Sequence, residues 1–179
     1  RLEDEVRKME KEVREEVKRL EDESRKVLEE SRRNLDKLRE ESKRVLDTVR
    51  ERIKDLRRRG LDERVLRELL KRVREVHERN RKLLDEVRRA SEKVHEDNRR
   101  ILEEVRKTVK DVVDKLRRVD AKVVKRDHMV LHEYVNAAGI TVKKSIEEVK
   151  EINRRLNEEV KKTIEEVKEI VKEVTERAK

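Results

Sequence analysis

RRRGLDER, residues 57–64, holds one of the chain's two glycines, and the sequence on either side of it has helical spacing. Gly60 suits the left-handed position just past a helix end, and Asp62 suits the N-cap of the next helix. Leu61 and Leu66 stand at N′ and N4 relative to that cap, which is the spacing of a hydrophobic staple. So short a connection reverses the chain, so the two helices it joins are predicted to be antiparallel neighbours.

A second break is read at RRVDAKVV, residues 117–124, where Asp120 is the N-cap and Val119 with Val124 form the staple. No glycine ends the helix before it. The chain then reads as one all-α, up-down-up bundle of three long antiparallel helices, at about 1–58, 62–118 and 121–178. Each would be roughly 85 Å long at 1.5 Å per residue. Apolar lines support this: Val6, Met9, Val13, Val17 and Leu20 in the first helix, Leu66, Leu69, Val73, Val76, Ile101, Val105 and Val112 in the second, Val142, Ile146, Val149 and Leu156 in the third. Adjacent pairs such as Val27-Leu28 and Leu83-Leu84 widen each line, so each helix faces at least two neighbours. Three helices from one chain meet that need, and a fourth helix supplied by a partner would also do so.

Composition agrees. Of the 179 residues 55% are charged, 32% are hydrophobic and 1% aromatic, with no Pro and no Cys. Charge at that level suggests disorder until the periodicity is seen, and with it suggests long helices. The net charge of +9 raises nucleic acid as a partner. Lys and Arg are interleaved with Glu and Asp throughout, however, which gives i,i+4 pairs on solvated faces, and aromatic residues for stacking on bases are missing. No nucleic-acid role is expected. No apolar run approaches the ~20 residues that cross a membrane, and no secretory pattern opens the chain. Without Cys there is neither a disulfide framework nor a thiol nucleophile.

Several positions on the apolar lines are polar: Ser24, Ser31 and Ser42; His77, Asn80, Ser91, His95 and Asn98; Ser145, Asn153 and Thr163. The second helix nearly repeats itself in VHERNR (76–81) and VHEDNR (94–99). A buried polar group costs a few kcal/mol unless partnered. His77, Asn80, Ser91, His95, Asn98 and Asn153 are therefore predicted to sit in hydrogen-bonded layers that fix register and pairing. If His77 and His95 are buried they also offer pH sensitivity.

One segment is foreign to all this. RDHMVLHEYVNAAGIT, residues 126–141, contains the chain's only Tyr, two of its four His and its second Gly. Read with period two, Met129, Leu131, Glu133, Val135 and Ala137 share one face and Val130, His132, Tyr134 and Asn136 the other, as in a strand. Read with period 3.6, Val124, His128, Leu131, Val135, Ala138 and Val142 make a stripe that runs into that of the third helix. The β-branched Val130, Val135, Ile140 and Thr141, the middling Tyr134 and Asn136, and Gly139 together cost roughly 3–4 kcal/mol against an all-Ala helix. These residues serve an end other than helix formation.

The sixteen residues resemble the eleventh strand of green fluorescent protein, in the solubility-optimised form used as the small fragment of split fluorescent reporters. That resemblance implies a partner, the large fragment of split green fluorescent protein, whose open barrel edge accepts Arg126, Asp127, His128, Met129, Val130, Leu131, His132, Glu133, Tyr134, Val135, Asn136, Ala137, Ala138, Gly139, Ile140 and Thr141 as a strand. Glu133 matches the family's inward-facing glutamate beside the chromophore, and Met129, Leu131, Val135 and Ala137 match residues of the barrel's inner side. His132, Tyr134 and Asn136 match the engineered tag and depart from the natural strand. The chromophore tripeptide is absent, so fluorescence would arise only in the complemented barrel.

Over its whole length the chain resembles computationally designed helical bundles, and with a bioactive peptide threaded onto one helix it resembles the LOCKR class of caged switches. The function expected is a designed cage that holds the strand as helix and releases it to the large fragment, with a designed opening helix as a further partner. The alternative is a passive scaffold or heterodimer component that carries a detection tag. Such a protein has no natural location and is expected to be soluble and cytoplasmic on recombinant expression. No enzyme activity and no cofactor are expected. His128 and His132 are i,i+4 with Glu133 adjacent, but the order is HxxxHE, not the HExxH of zinc proteases, and no third ligand stands near in sequence. No metal centre is expected.

Overall fold

The computed structural model describes residues 2–118 and 121–177, with side-chain surroundings for 3–118 and 125–177. The described residues form three helices: α1 (Leu2–Arg58), α2 (Glu63–Leu116) and α3 (Ala121–Arg177). The described residues contain no strand. They form an all-α three-helix bundle, as the apolar spacing predicts. The expected second cap, Asp120, and its staple residue Val119 lie outside the described residues, as does the Val124 side chain. α2 ends two residues earlier than expected, at Leu116. Arg117 and Arg118 continue as a turn, their amides donating to Val113 O at 3.2 Å and Lys115 O at 3.1 Å.

The 57–64 connection folds as its residues dictate. Gly60 has φ of 86°, a region that costs residues with a Cβ 1–2 kcal/mol or so. The Gly60 amide donates to Arg57 O (3.1 Å) and the Leu61 amide to Leu56 O (3.1 Å), the pair of bonds that closes a Schellman end. Asp62 Oδ1 accepts from the Arg64 amide at 3.1 Å, capping α2. Leu61 packs with Leu56 and Leu66 in one apolar cluster, so a single side chain serves both the helix that ends and the helix that begins. Arg57 binds Glu63 through two bonds, of 2.9 and 3.1 Å, across the turn.

Contacts gather in two compact units, Arg1–Glu30 with Ser91–Lys150, and Ser31–Ala90 with Glu151–Lys179. In the first, Val13, Val17 and Leu20 of α1 meet Leu102, Val105, Val109 and Val113 of α2 and Leu131, Val135, Val142 and Ile146 of α3. In the second, Leu46, Val49, Ile53 and Leu56 meet Leu66, Leu69, Val73 and Val76, with Val167, Ile170 and Val174 from α3. A smaller cluster of Leu35, Leu38, Leu84, Leu156 and Val160 belongs to the same unit. Each such side chain, fully buried, contributes about 1.5–3 kcal/mol. The adjacent pairs divide unequally. Leu84 and Leu102 are buried while Leu83 and Ile101 are half-buried. The line expected in the second helix through Ile101 and Val112 is thus one residue off the deepest line, Leu102 and Val113, because these pairs span the seams to two neighbours and one member reaches the centre, whereas in α1 both Val27 and Leu28 are buried.

Candidate functional site

Residues 126–141 are helical throughout, inside α3. The buried side is narrow. Leu131 and Val135 are 3% and 7% exposed, Gly139 is buried and Ala138 half-buried. His128, expected on this stripe, is instead exposed. Imidazole has a polar tip, so from an apolar line it can turn out to water where an aliphatic side chain stays in. The exposed large hydrophobic side chains of the described residues are Met129 (66%), Val130 (60%), Tyr134 (36%) and Ile140 (56%). All four belong to this segment. Arg126, His132, Glu133, Asn136, Ala137 and Thr141 are exposed too, and Asp127 is half-buried.

The segment's bonds to its surroundings are few. Thr141 Oγ1 donates to Ala137 O at 3.1 Å, within the helix. The rings of His128 and His132 stack with centroids 6.4 Å apart and planes inclined by 30°. Among the described residues no ion pair involves 126–141, whereas pairs such as Arg154–Glu151 (2.7 Å) and Lys150–Glu147 (3.3 Å) follow further along α3. Gly139 faces α1 with space to spare, since a Cβ there would meet Leu20 Cδ1 at 3.6 Å. Beside the segment an open groove of about 560 Å³ is lined by Met9, Glu12, Val13, Glu15, Glu16 and Arg19 of α1 and by His132, Val135 and Asn136. Glu16 pairs with Arg19 on the α1 side.

The predicted polar residues do form layers. In the first unit, Asn98 Nδ2 donates to Ser24 Oγ at 3.3 Å, and Ser24 Oγ lies 2.9 Å from His95 Nδ1. Ser145 Oγ lies 2.7 Å from both Asn98 Oδ1 and Val142 O, its one proton shared between them. The chain His95–Ser24–Asn98–Ser145 thus ties all three helices. In the second unit, Ser42 Oγ is 2.9 Å from His77 Nδ1, and Asn80 Nδ2 donates to Thr163 Oγ1 at 2.8 Å, which donates to Val160 O at 2.7 Å. Asn80 Oδ1 is buried without a partner. The same unit holds a third layer, in which Ser31 and Asn153 exchange bonds of 3.2 and 3.0 Å and Asn34 Nδ2 donates to Asn153 Oδ1 at 3.1 Å.

Asn80, Asn98 and Ser91 are buried as expected, and Ser91 makes a polar contact of its own. His77, His95 and Asn153 are half-buried, since each reaches the layer from the rim of the core. Asn34 was not anticipated. Its sequence signal is its place three residues after Ser31, on the same helical face. The members of the first and second layers stand 18 residues apart in each helix: Ser24 and Ser42, His95 and His77, Asn98 and Asn80, Ser145 and Thr163.

Among ionisable groups, the Arg57 guanidinium hydrogen-bonded to Glu63 holds that carboxyl below its ordinary 4.5, and Arg154 does the same for Glu151. The described residues contain no group of three or more His, Cys, Asp or Glu placed to hold a metal ion, and no helix among them is long and apolar enough to cross a membrane. No family model matches the chain, and neither a curated protein nor a solved structure is similar to it.

Proposed function

We propose that the protein is a designed cage which holds a split-reporter strand, residues 126–141, in helical form and yields it to the large fragment of split green fluorescent protein. One observation carries this reading. The segment lies within α3 with Leu131, Val135 and Gly139 turned into the core, while Met129, Val130, Tyr134 and Ile140 are left to solvent. A helix composed for its own stability puts polar residues at those four places. Residues retained there at a cost have a second use, and the sequence resemblance supplies it.

Caging follows from geometry. Sixteen residues span ~24 Å as helix and ~53 Å as strand, so docking in the bundle and completing a barrel exclude each other. Complementation then proceeds at the rate of the free strand multiplied by the fraction of molecules in which the segment is open. An opening cost of ~4 kcal/mol leaves about one molecule in 10³ competent.

The test compares initial rates of fluorescence gain with excess large fragment for the intact protein and for the free sixteen-residue peptide. The intact protein is expected to be slower by two to three orders of magnitude or so. Ile146→Ala and Leu20→Ala lie outside the segment and empty buried positions, 5% and 1% exposed, in the core it docks on. Each removes roughly 2–5 kcal/mol of packing and should recover much of the rate. A passive scaffold carrying a detection tag predicts the rate of the free peptide for the intact protein and no gain in either variant.

A further inference from the structure

The stacked pair His128 and His132 is unused by the core, the polar layers and every ion pair among the described residues. Both imidazoles are exposed, they stand one helical turn apart, and their ring centroids are 6.4 Å from each other. Side-chain rotation alone brings a nitrogen of each onto a common ion at bonds of ~2.0–2.1 Å, with no change in the backbone. The flank of α1 beside His132 is acidic. Glu12, Glu15 and Glu16 line the groove it faces, and the one basic residue lining it, Arg19, is paired with Glu16. Lys125 and Arg126 stand on α3 just before the pair.

We propose that His128 and His132 are a chelating site for a divalent transition-metal ion of the zinc type, and that the bound ion locks residues 126–141 in the docked, helical form. The lock rests on the caging reading; the site does not. Two nitrogen ligands, with water filling the remaining positions, suit borderline-soft ions and not Mg²⁺ or Ca²⁺, which take oxygen. This departs from the expectation that no metal is bound: the HExxH order and a third ligand are needs of a catalytic centre, and a two-imidazole chelate needs neither.

Selectivity for the helix is geometric. Side chains four apart on a helix are neighbours, ~5–6 Å between Cβ atoms. In a strand the same two residues are ~13 Å apart along the chain, with side chains standing roughly perpendicular to the sheet, so one ion cannot be held by both. An ion that binds only the helical form stabilises it by the factor 1 + [L]/Kd. Zinc therefore opposes strand release in proportion to its concentration.

The experiment has two arms. In the first, urea unfolding of the protein alone is followed with and without zinc chloride. The midpoint should rise with zinc, stay put with magnesium, and lose its zinc response in His128→Gln and in His132→Gln. An absent shift in the parent protein, or one that persists in both variants, overturns the site. In the second, zinc is set at ten times the dissociation constant found by titration, and complementation is started with the large fragment. The intact protein should slow by ~tenfold while the free peptide 126–141 keeps its rate. A midpoint shift without slowing of the intact protein, or equal slowing of the peptide, overturns the lock and leaves the site standing. Failure of caging itself reads differently, as an intact protein that matches the free peptide in the absence of zinc.

Discussion

Asn80 and Asn98 hold matching places in their layers and are bonded differently. Asn98 Nδ2 donates to Ser24 and its Oδ1 accepts from Ser145, whereas Asn80 Nδ2 donates to Thr163 and its Oδ1 is buried bare. Turning the Asn80 amide over only exchanges a bare acceptor for a bare donor. A buried unpaired group costs about 1–3 kcal/mol, while a satisfied pair contributes net about 1 kcal/mol. Asn80→Leu should therefore cost less stability than Asn98→Leu, by about 1 kcal/mol or more, in urea titrations of the two variants. Equal losses would show that the bare oxygen carries no penalty. At the turn, Glu63 titrates below its ordinary 4.5 through its hydrogen bond with Arg57. A depressed carboxyl adds stability above its unfolded value and loses it as pH falls through the folded one. Glu63→Gln should accordingly flatten the acid side of the stability profile below pH 4.5 and leave the neutral side parallel to the parent, as denaturant midpoints over a pH series would report. The pair is exposed, so high salt should shrink the difference.

α3 is where local preference and tertiary context disagree. The β-branched residues and Gly139 oppose helix, yet the segment is helical because Leu131, Val135 and Val142 find a core already built by α1 and α2. Gly139 is the weakest link, and it has room for a methyl group. Gly139→Ala should raise the unfolding midpoint by the equivalent of about 1 kcal/mol, the intrinsic difference between the two residues in a helix. A loss of stability instead would mean that Leu20 has no freedom to accept the added carbon. The helix ends at Gly60 and Asp62 were legible because their residue types have few other uses. The α2 end was misplaced by two residues since no glycine marks it. His128 departs from its expected place because spacing tells which residues share a face and not whether a side chain with a polar tip on that face turns out to solvent.

At the scale of the whole molecule, the all-α class and the polar layers could be read from the sequence, since a Ser, His or Asn on an apolar line is conspicuous. Which partner each would take was not legible, because that depends on the axial offset between helices, and neither was the bare oxygen of Asn80. Eighteen residues are five full turns, so positions eighteen apart along one helix share a face. α3 repeats its letters as well: SIEEVKEI from Ser145 returns as TIEEVKEI from Thr163. A helix written this way carries an ambiguous address, for Thr163 offers Asn98 a hydroxyl of the same reach as Ser145. Asn153 removes the ambiguity. Its counterpart one repeat later is Val171, which has nothing to exchange with Ser31 and Asn34. Asn153→Val should lower the denaturant midpoint by the loss of the third layer's bonds and still leave one set of amide resonances for Ser145 and Thr163, because the apolar clusters hold α3 at the first address. A slide to the second address would move Val167, Ile170 and Val174 off Leu46, Val49, Ile53 and Leu66, at about 1.5–3 kcal/mol for each side chain uncovered, so the caged strand keeps its place by apolar packing even where the polar lettering would let it go.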